Sequence, residues 1–187
     1  MDKRKVLLFL FLKIASCIIC CVLVVIAFSI FKGANFPLVK FHYWKGYFSQ
    51  RQGNLEDAIL EYNEAIKLDK TYPTAYISRG NAYLDLQKYN EAIADYTIAI
   101  RLLPENSEAF AYRGRAYYET DSVKKSLEDY NKSISLDNDF AYAYCNRGLL
   151  KLYRLEDSNG GCKDLKQAVD LGDSYAKEHF EKDGNCD

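Results

Sequence analysis

Four glycines, Gly46, Gly80, Gly114 and Gly148, are separated by 34, 34 and 34 residues, and this spacing constrains the fold more than any other feature of the chain. The same offset superimposes Tyr62, Tyr96 and Tyr130; Ala65, Ala99 and Ser133; Ile66, Ile100 and Ile134; and Leu68, Leu102 and Leu136. Self-similarity at a fixed period means one supersecondary unit used several times. Within a unit, Tyr76, Gly80 and Tyr83 are spaced by four and three, and Ala92, Tyr96, Ala99 and Ile100 keep that rhythm after a polar break at Gln87 and Lys88. These intervals predict two amphipathic helices joined by a short turn. One such pair leaves its apolar stripe in water, so neighbouring pairs must stack.

These residues resemble the tetratricopeptide repeat family, whose unit is a 34-residue helix-turn-helix. The clearest copy is 73–106, where Tyr76, Gly80, Tyr83, Ala92, Tyr96, Ala99 and Pro104 occupy the signature places. The copy at 107–140 keeps Phe110, Gly114, Tyr117 and Tyr130 but has Ser126 and Ser133 for alanines and Asn138 for the proline. The copy at 39–72 has His42 and Ser49 where aromatics are usual. The copy at 141–172 has Tyr144 and Gly148 but Lys151 for the second aromatic, and it realigns only after one extra residue, which we place in a longer turn around Asp157–Gly160. After that shift Gly161, Asp164, Leu165, Ala168, Val169 and Leu171 match the earlier second helices. Residues 173–187 read as a closing helix and tail, polar on one face, with Tyr175, His179 and Phe180 available for packing. The resemblance implies an all-α solenoid of four units plus the closing helix, about nine helices in all.

A charge pattern follows the same period. Lys45 precedes Glu61 by 16 residues, Arg79 precedes Asp95 by 16, Arg113 precedes Asp129 by 16, and Arg147 precedes Asp164 by 17. Opposite charges at that separation predict an ion pair between the two helices of each unit, which would set their register without adding much net stability. A basic ladder for a ligand is the competing reading.

The N-terminus differs in kind. Between Val6 and Phe31, 23 of 26 residues are apolar and Lys13 alone is charged. The 18 residues from Ile14 to Phe31 reach about 27 Å as a helix, close to the hydrocarbon thickness of a bilayer. We therefore expect a basic segment at 1–11, a transmembrane helix at 12–31 and a juxtamembrane linker at 32–38. A cleaved signal peptide with Ala27-Phe28-Ser29 as its processing site, and a lipoprotein box at Ile14–Cys17, are the alternatives. The apolar core is long for the first and stays apolar too far past Cys17 for the second. Lys3, Arg4 and Lys5 favour a cytoplasmic N-terminus with the repeats outside, in a bacterial inner membrane, although Lys32, Lys40, Lys45 and Arg51 lie soon after the span. Phe36, Phe41, Tyr43, Trp44, Tyr47 and Phe48 follow it. Such rings suit either the headgroup region or the core of the first helical pair.

Little in the chain points to catalysis. There are two histidines, His42 and His179, far apart, and no phosphate-binding glycine loop or nucleophile elbow, so no enzyme activity, cofactor, metal site or small-molecule substrate is implied. Setting aside Asp2, Lys3, Arg4, Lys5 and Lys13 leaves 21 basic and 25 acidic residues, a balance that does not favour a nucleic-acid partner. Cys17, Cys20 and Cys21 fall inside the apolar run, where thiols are inert unless acylated. Cys162 and Cys186 flank antiparallel helices at one end and can form a disulfide in an oxidising compartment, leaving Cys145 unpaired. Asn131-Lys132-Ser133 is a glycosylation sequon, but it falls within a helix.

The family lines its concave side with the first helix of each unit. This implies a partner-binding groove built from Tyr43, Tyr47, Ser78, Asn81, Asp85, Tyr112, Arg115, Glu119, Asn146 and Tyr153. Some members hold an acidic chaperone tail with a Lys and Asn clamp; here Tyr43 and Tyr47 stand at the first clamp positions, so that ligand is not implied. The expected function is a membrane-anchored scaffold or adaptor that binds a peptide or helix of a protein partner. The alternative is a structural subunit or assembly factor held through its transmembrane helix and convex faces.

Overall fold

The computed structural model describes residues 37–182 and Cys186. Among the described residues all regular structure is α-helical: α1 (37–51), α2 (Leu55–Leu68), α3 (Pro73–Asp85), α4 (Tyr89–Leu102), α5 (Ser107–Glu119), α6 (Val123–Leu136), α7 (Ala141–Arg154), α8 (Ser158–Asp170) and α9 (Ser174–Lys182). The segment 1–11, the expected transmembrane helix at 12–31 and linker residues 32–36 lie outside them. No described helix is long and apolar enough to cross a membrane. Residues 37 and 38, expected as linker, are already helical, and Val39 just after them is buried.

The helices stack as hairpins, each second helix also packing on the first helix of the next unit: α2 on α3, α4 on α5, α6 on α7, with α9 closing over α8. First helices touch one another as well, α3 with α5 and α5 with α7, which places them along the inner side of the array.

The glycine period has a direct cause. Tyr62, Tyr96 and Tyr130 are buried completely between the helices of their units, each ring against the glycine of the partner helix. A Cβ on Gly46 would sit 2.8 Å from Tyr62 Cε1, on Gly80 2.7 Å from Tyr96 Cε1, and on Gly114 3.0 Å from Tyr130 Cδ1. In the last unit Leu165 replaces the ring, and a Cβ on Gly148 would lie 3.1 Å from Leu165 Cγ and 3.0 Å from the Gly161 carbonyl. Two of the buried phenols find acceptors: Tyr62 Oη donates to Gln50 Oε1 at 2.9 Å and Tyr96 Oη to Asn81 Oδ1 at 2.7 Å.

Helix ends follow local chemistry. Pro73 opens α3, where its missing N–H costs no intrahelical bond. The Asn106 side chain accepts from Ala109 N at the start of α5, Asp157 from Gly160 N at the start of α8, and Asp173 from Ala176 N at the start of α9. Every intra-unit turn has three residues, the middle one left-handed: Gly53 (φ 82°), Gln87 (59°), Asp121 (58°) and Glu156 (54°).

This regularity corrects the placement of the extra residue in the last unit. It does not lengthen the turn; it lengthens the helix before it, since α7 has 14 residues where α3 and α5 have 13. The hydrogen bonds agree. Lys88 N donates to Tyr83 O and Ser122 N to Tyr117 O, five residues back, whereas Asp157 N reaches Lys151 O, six back. A tight turn with one left-handed residue admits no insertion, but a helix end takes one more residue easily.

Candidate functional site

Two polar systems run through the stack, one internal and one open. The internal one is the periodic ion-pair ladder. Arg79 donates from Nε and NH2 to both oxygens of Asp95 (2.7 and 2.6 Å), Arg113 to both of Asp129 (2.8 and 2.9 Å), and Arg147 to both of Asp164 (2.8 and 2.7 Å). The three carboxylates are buried. Burial pushes Asp95 and Asp129 above the usual carboxylate range, against the opposing pull of their arginines.

Each guanidinium makes a third bond, absent from the sequence expectation. Arg79 NH1 donates to Asn63 Oδ1, Arg113 NH1 to Thr97 Oγ1 at 3.1 Å, and Arg147 NH1 to Asn131 Oδ1 at 2.7 Å. Asn63, Thr97 and Asn131 belong to the preceding unit and are themselves 34 apart, a signal that a search for polar residues at the repeat period would have found. The arginine thus ties its own second helix to the previous one. Aromatic rings three residues before and four after flank the cation: Tyr76 and Tyr83 around Arg79 (5.6 and 5.9 Å), Phe110 and Tyr117 around Arg113 (5.6 and 5.7 Å).

In the outer units a base takes the place of one aromatic. Lys151 Nζ joins Arg147 on Asp164 at 2.8 Å. His42 Nδ1 sits 2.7 Å from Glu61 Oε2 beside Lys45, 2.6 Å from Oε1. Burial raises the Glu61 carboxyl, but hydrogen bonds from Lys45 and His42 outweigh it and leave the group below its ordinary range. With its members engaged internally, this ladder serves register rather than ligand binding.

The open system is a cavity of about 400 Å³ at the C-terminal half of the inner side. Arg115, Tyr118 and Glu119 of α5 form one wall, and Tyr142, Asn146, Leu149 and Tyr153 of α7 another. Asp173, Tyr175 and His179 close it from the α9 end, with Tyr130 and Cys145 at its base. Four of the ten expected groove residues, Arg115, Glu119, Asn146 and Tyr153, meet here. Asp85 lies in an adjoining hollow of about 330 Å³ that shares Arg115 and Glu119.

The other five are placed differently. Tyr112 is half-buried, its ring 6.1 Å from Tyr96 and 5.1 Å from Tyr142, so it belongs to the stacking between units. Asn81 accepts from Tyr96 Oη, and Ser78 lies in hydrogen-bonding reach of the Tyr62 hydroxyl. Tyr43 packs on Tyr62 and Tyr72, and Tyr47 on Trp44 and Phe48, at the far end of the array. Tyr142 was not anticipated in the groove. It stands one helical turn before Asn146, on the same face of α7, and that spacing was the available signal. Tyr175, expected as packing, is mostly exposed at the cavity mouth.

Burial and the nearby carboxylate of Asp173 push the Cys145 thiol up to about 12. It is therefore inert at the cavity base. Cys162 and Cys186 are joined in a disulfide that ties the C-terminal tail to the start of α8. No group of His, Cys, Asp and Glu among the described residues could hold a metal ion.

Comparison with known proteins agrees with this architecture. The family model described as "TPR repeat" matches residues 51–87 and 114–152, and the model described as "Tetratricopeptide repeat" matches 73–106. No curated protein sequence shows significant similarity. Among solved structures, a crystal structure of MamA is 27% identical over 74% of this chain and 81% of that one, with a TM-score of 0.65. The Arabidopsis OM64 TPR domain is 26% identical over 64% of this chain and 98% of that one, at 0.62. The first TPR of Spaghetti (RPAP3), solved with the HSP90 peptide SRMEEVD, is 23% identical over 61% of this chain and 90% of that one, at 0.60.

Proposed function

The chain belongs to the tetratricopeptide repeat family, and from that premise we propose that it is a membrane-anchored scaffold holding a short segment of a protein partner in the cleft between α5, α7 and α9. The observation that carries this reading is the cleft itself. It is an inner-side cavity of about 400 Å³ whose tyrosine walls offer large, stiff contact surfaces and whose rim offers Arg115, Glu119 and His179 for directed polar contacts. A peptide-bound solenoid of the same fold supports the choice of ligand class. The acidic tail seen there is not carried over, because Glu119 and Asp173 place negative charge in this cleft.

The anchor in this proposal is the apolar span at 12–31, uncharged from Ile14 onward, with the N-terminus in the cytoplasm. The Cys162–Cys186 bond favours repeats on the oxidising side, since such bonds persist outside the reducing cytosol.

The test is recovery of crosslinked partners from native membranes with the full-length protein and with an Arg115→Ala, Tyr175→Ala double variant. Both side chains are exposed, so the variant leaves the core intact. A stoichiometric partner lost from the variant, whose circular dichroism and melting are unchanged, supports a cleft adaptor. A partner retained undiminished refutes the cleft assignment.

A further inference from the structure

We propose that the unpartnered end face of α1, carrying Phe41, Trp44 and Phe48, lies in the headgroup region of a lipid bilayer and holds the first repeat against the membrane surface. The inference rests on the anchor reading above and extends it to a surface that the repeat array leaves without a partner.

The register identifies that surface. Thirty-four residues after Phe41 and Phe48 stand Ala75 and Ala82, then Ala109 and Ala116, then Ala143 and Leu150, and every one of these six is completely buried. In the later units this is the face that closes on the second helix of the preceding unit, and it carries alanine at five of the six positions, with one buried leucine, so that the helices can approach. In α1 the face carries two phenylalanines, 58% and 61% exposed, beside Trp44 at 50%. Rings of that size prop a neighbouring helix away, so the face is not built to accept another repeat in the usual way. It is apolar, aromatic and open.

Its surroundings select the occupant. The uncharged run ends at Phe31, and the five residues 32–36 extend at most about 18 Å, so a spanning run would leave α1 within reach of the interface. From 37 to 51 the helix carries three bases and no acid; Lys45 is engaged by Glu61 of α2, so the basic character suited to anionic headgroups comes from Lys40 and Arg51. Trp44 packs edge-on against Tyr43 and Tyr47 at 5.4 and 5.5 Å, giving a continuous aromatic surface of the composition found in interfacial belts.

Trp44 is the single tryptophan of the chain and reports its own surroundings. The full-length protein is reconstituted into phosphatidylcholine and phosphatidylglycerol vesicles with or without bromine near the headgroup end of the acyl chains. The proposal expects the protein to float with the vesicles, Trp44 emission to be quenched by brominated lipid as befits a ring at headgroup depth, and no dependence on protein-to-lipid ratio. A Phe41→Ser, Phe48→Ser variant that still floats should recover most of that emission. Flotation with Trp44 quenched by aqueous iodide and not by brominated lipid would overturn the interfacial face and leave the anchor standing. Failure to float would overturn the anchor and the interface together. Shielding from both quenchers that grows with protein density would assign the face to a second copy of the chain instead.

Discussion

Two serines of the third unit occupy positions that are alanine in the units before it, and the structure gives them opposite consequences. Ser126 corresponds to Ala58 and Ala92, and Ser133 to Ala65 and Ala99; all six residues are completely buried. Ser126 Oγ donates to the Gly114 carbonyl at 2.7 Å, whereas Ser133 Oγ has no hydrogen-bond partner. Replacing Ser133 with alanine removes an unmet desolvation cost of about 1–3 kcal/mol. It also gains a few tenths of a kcal/mol in helix propensity and loses a similar amount to the small void left by one oxygen. The net expectation is a gain of about 2 kcal/mol, or about 4–8 °C in melting temperature for a domain of this size. Ser126→Ala breaks a made hydrogen bond and should cost about 0.5–1 kcal/mol after the same propensity correction. Thermal and urea melts of the two variants beside the wild type are the assay. If Ser133→Ala were neutral or destabilising while Ser126→Ala was not, the reasoning from hydrogen-bond satisfaction would be refuted.

Gly80→Ala should destabilise by about 1–2 kcal/mol in the same melts, because its Cβ meets a fully buried Tyr96 ring at 2.7 Å and overpacking exceeds the propensity gain. Arg113→Ala leaves Asp129 buried without its cation and should cost about 3–5 kcal/mol at neutral pH, against less than about 1 kcal/mol for Lys45→Ala at the exposed end of the ladder. Burial already raises the Asp129 carboxyl, so protonation relieves the unpaired charge and the Arg113→Ala deficit should shrink as pH falls. Native treatment with iodoacetamide at pH 8 should leave Cys145 unmodified, since its thiol is pushed up to about 12, and should spare Cys162 and Cys186 until reduction; peptide mapping by mass spectrometry reads each site.

The helices and the ion-pair ladder were legible because both follow the repeat period, which fixes which residues meet without knowledge of the whole shape. Gly46, Gly80 and Gly114 each predict a close approach, and each has a tyrosine ring against it. The position of the extra residue in the last unit is not legible in the sequence, because Asp157–Gly160 has the composition of a loop. The actual constraint is a three-residue turn with Glu156 left-handed, which pushes the insertion back into α7. The groove was only partly legible. Asn81 and Ser78 sit on the expected face, yet neighbouring tyrosine hydroxyls take up their polar groups, a pairing that depends on contacts between helices. Tyr175 and His179 reach the cavity only through the packing of α9 on α8, for which no repeat offset exists.

The most direct test of the account places a photoreactive benzophenone amino acid at position 175, at the mouth of the cleft, in the full-length protein in its native membrane. The account predicts one discrete crosslinked protein whose adduct disappears in an Arg115→Ala background, while the same probe at position 60 on α2 gives none. Absence of any adduct from 175, with a strong one from position 60, would contradict the cleft as the binding surface and assign the scaffold's contacts to its outer helices.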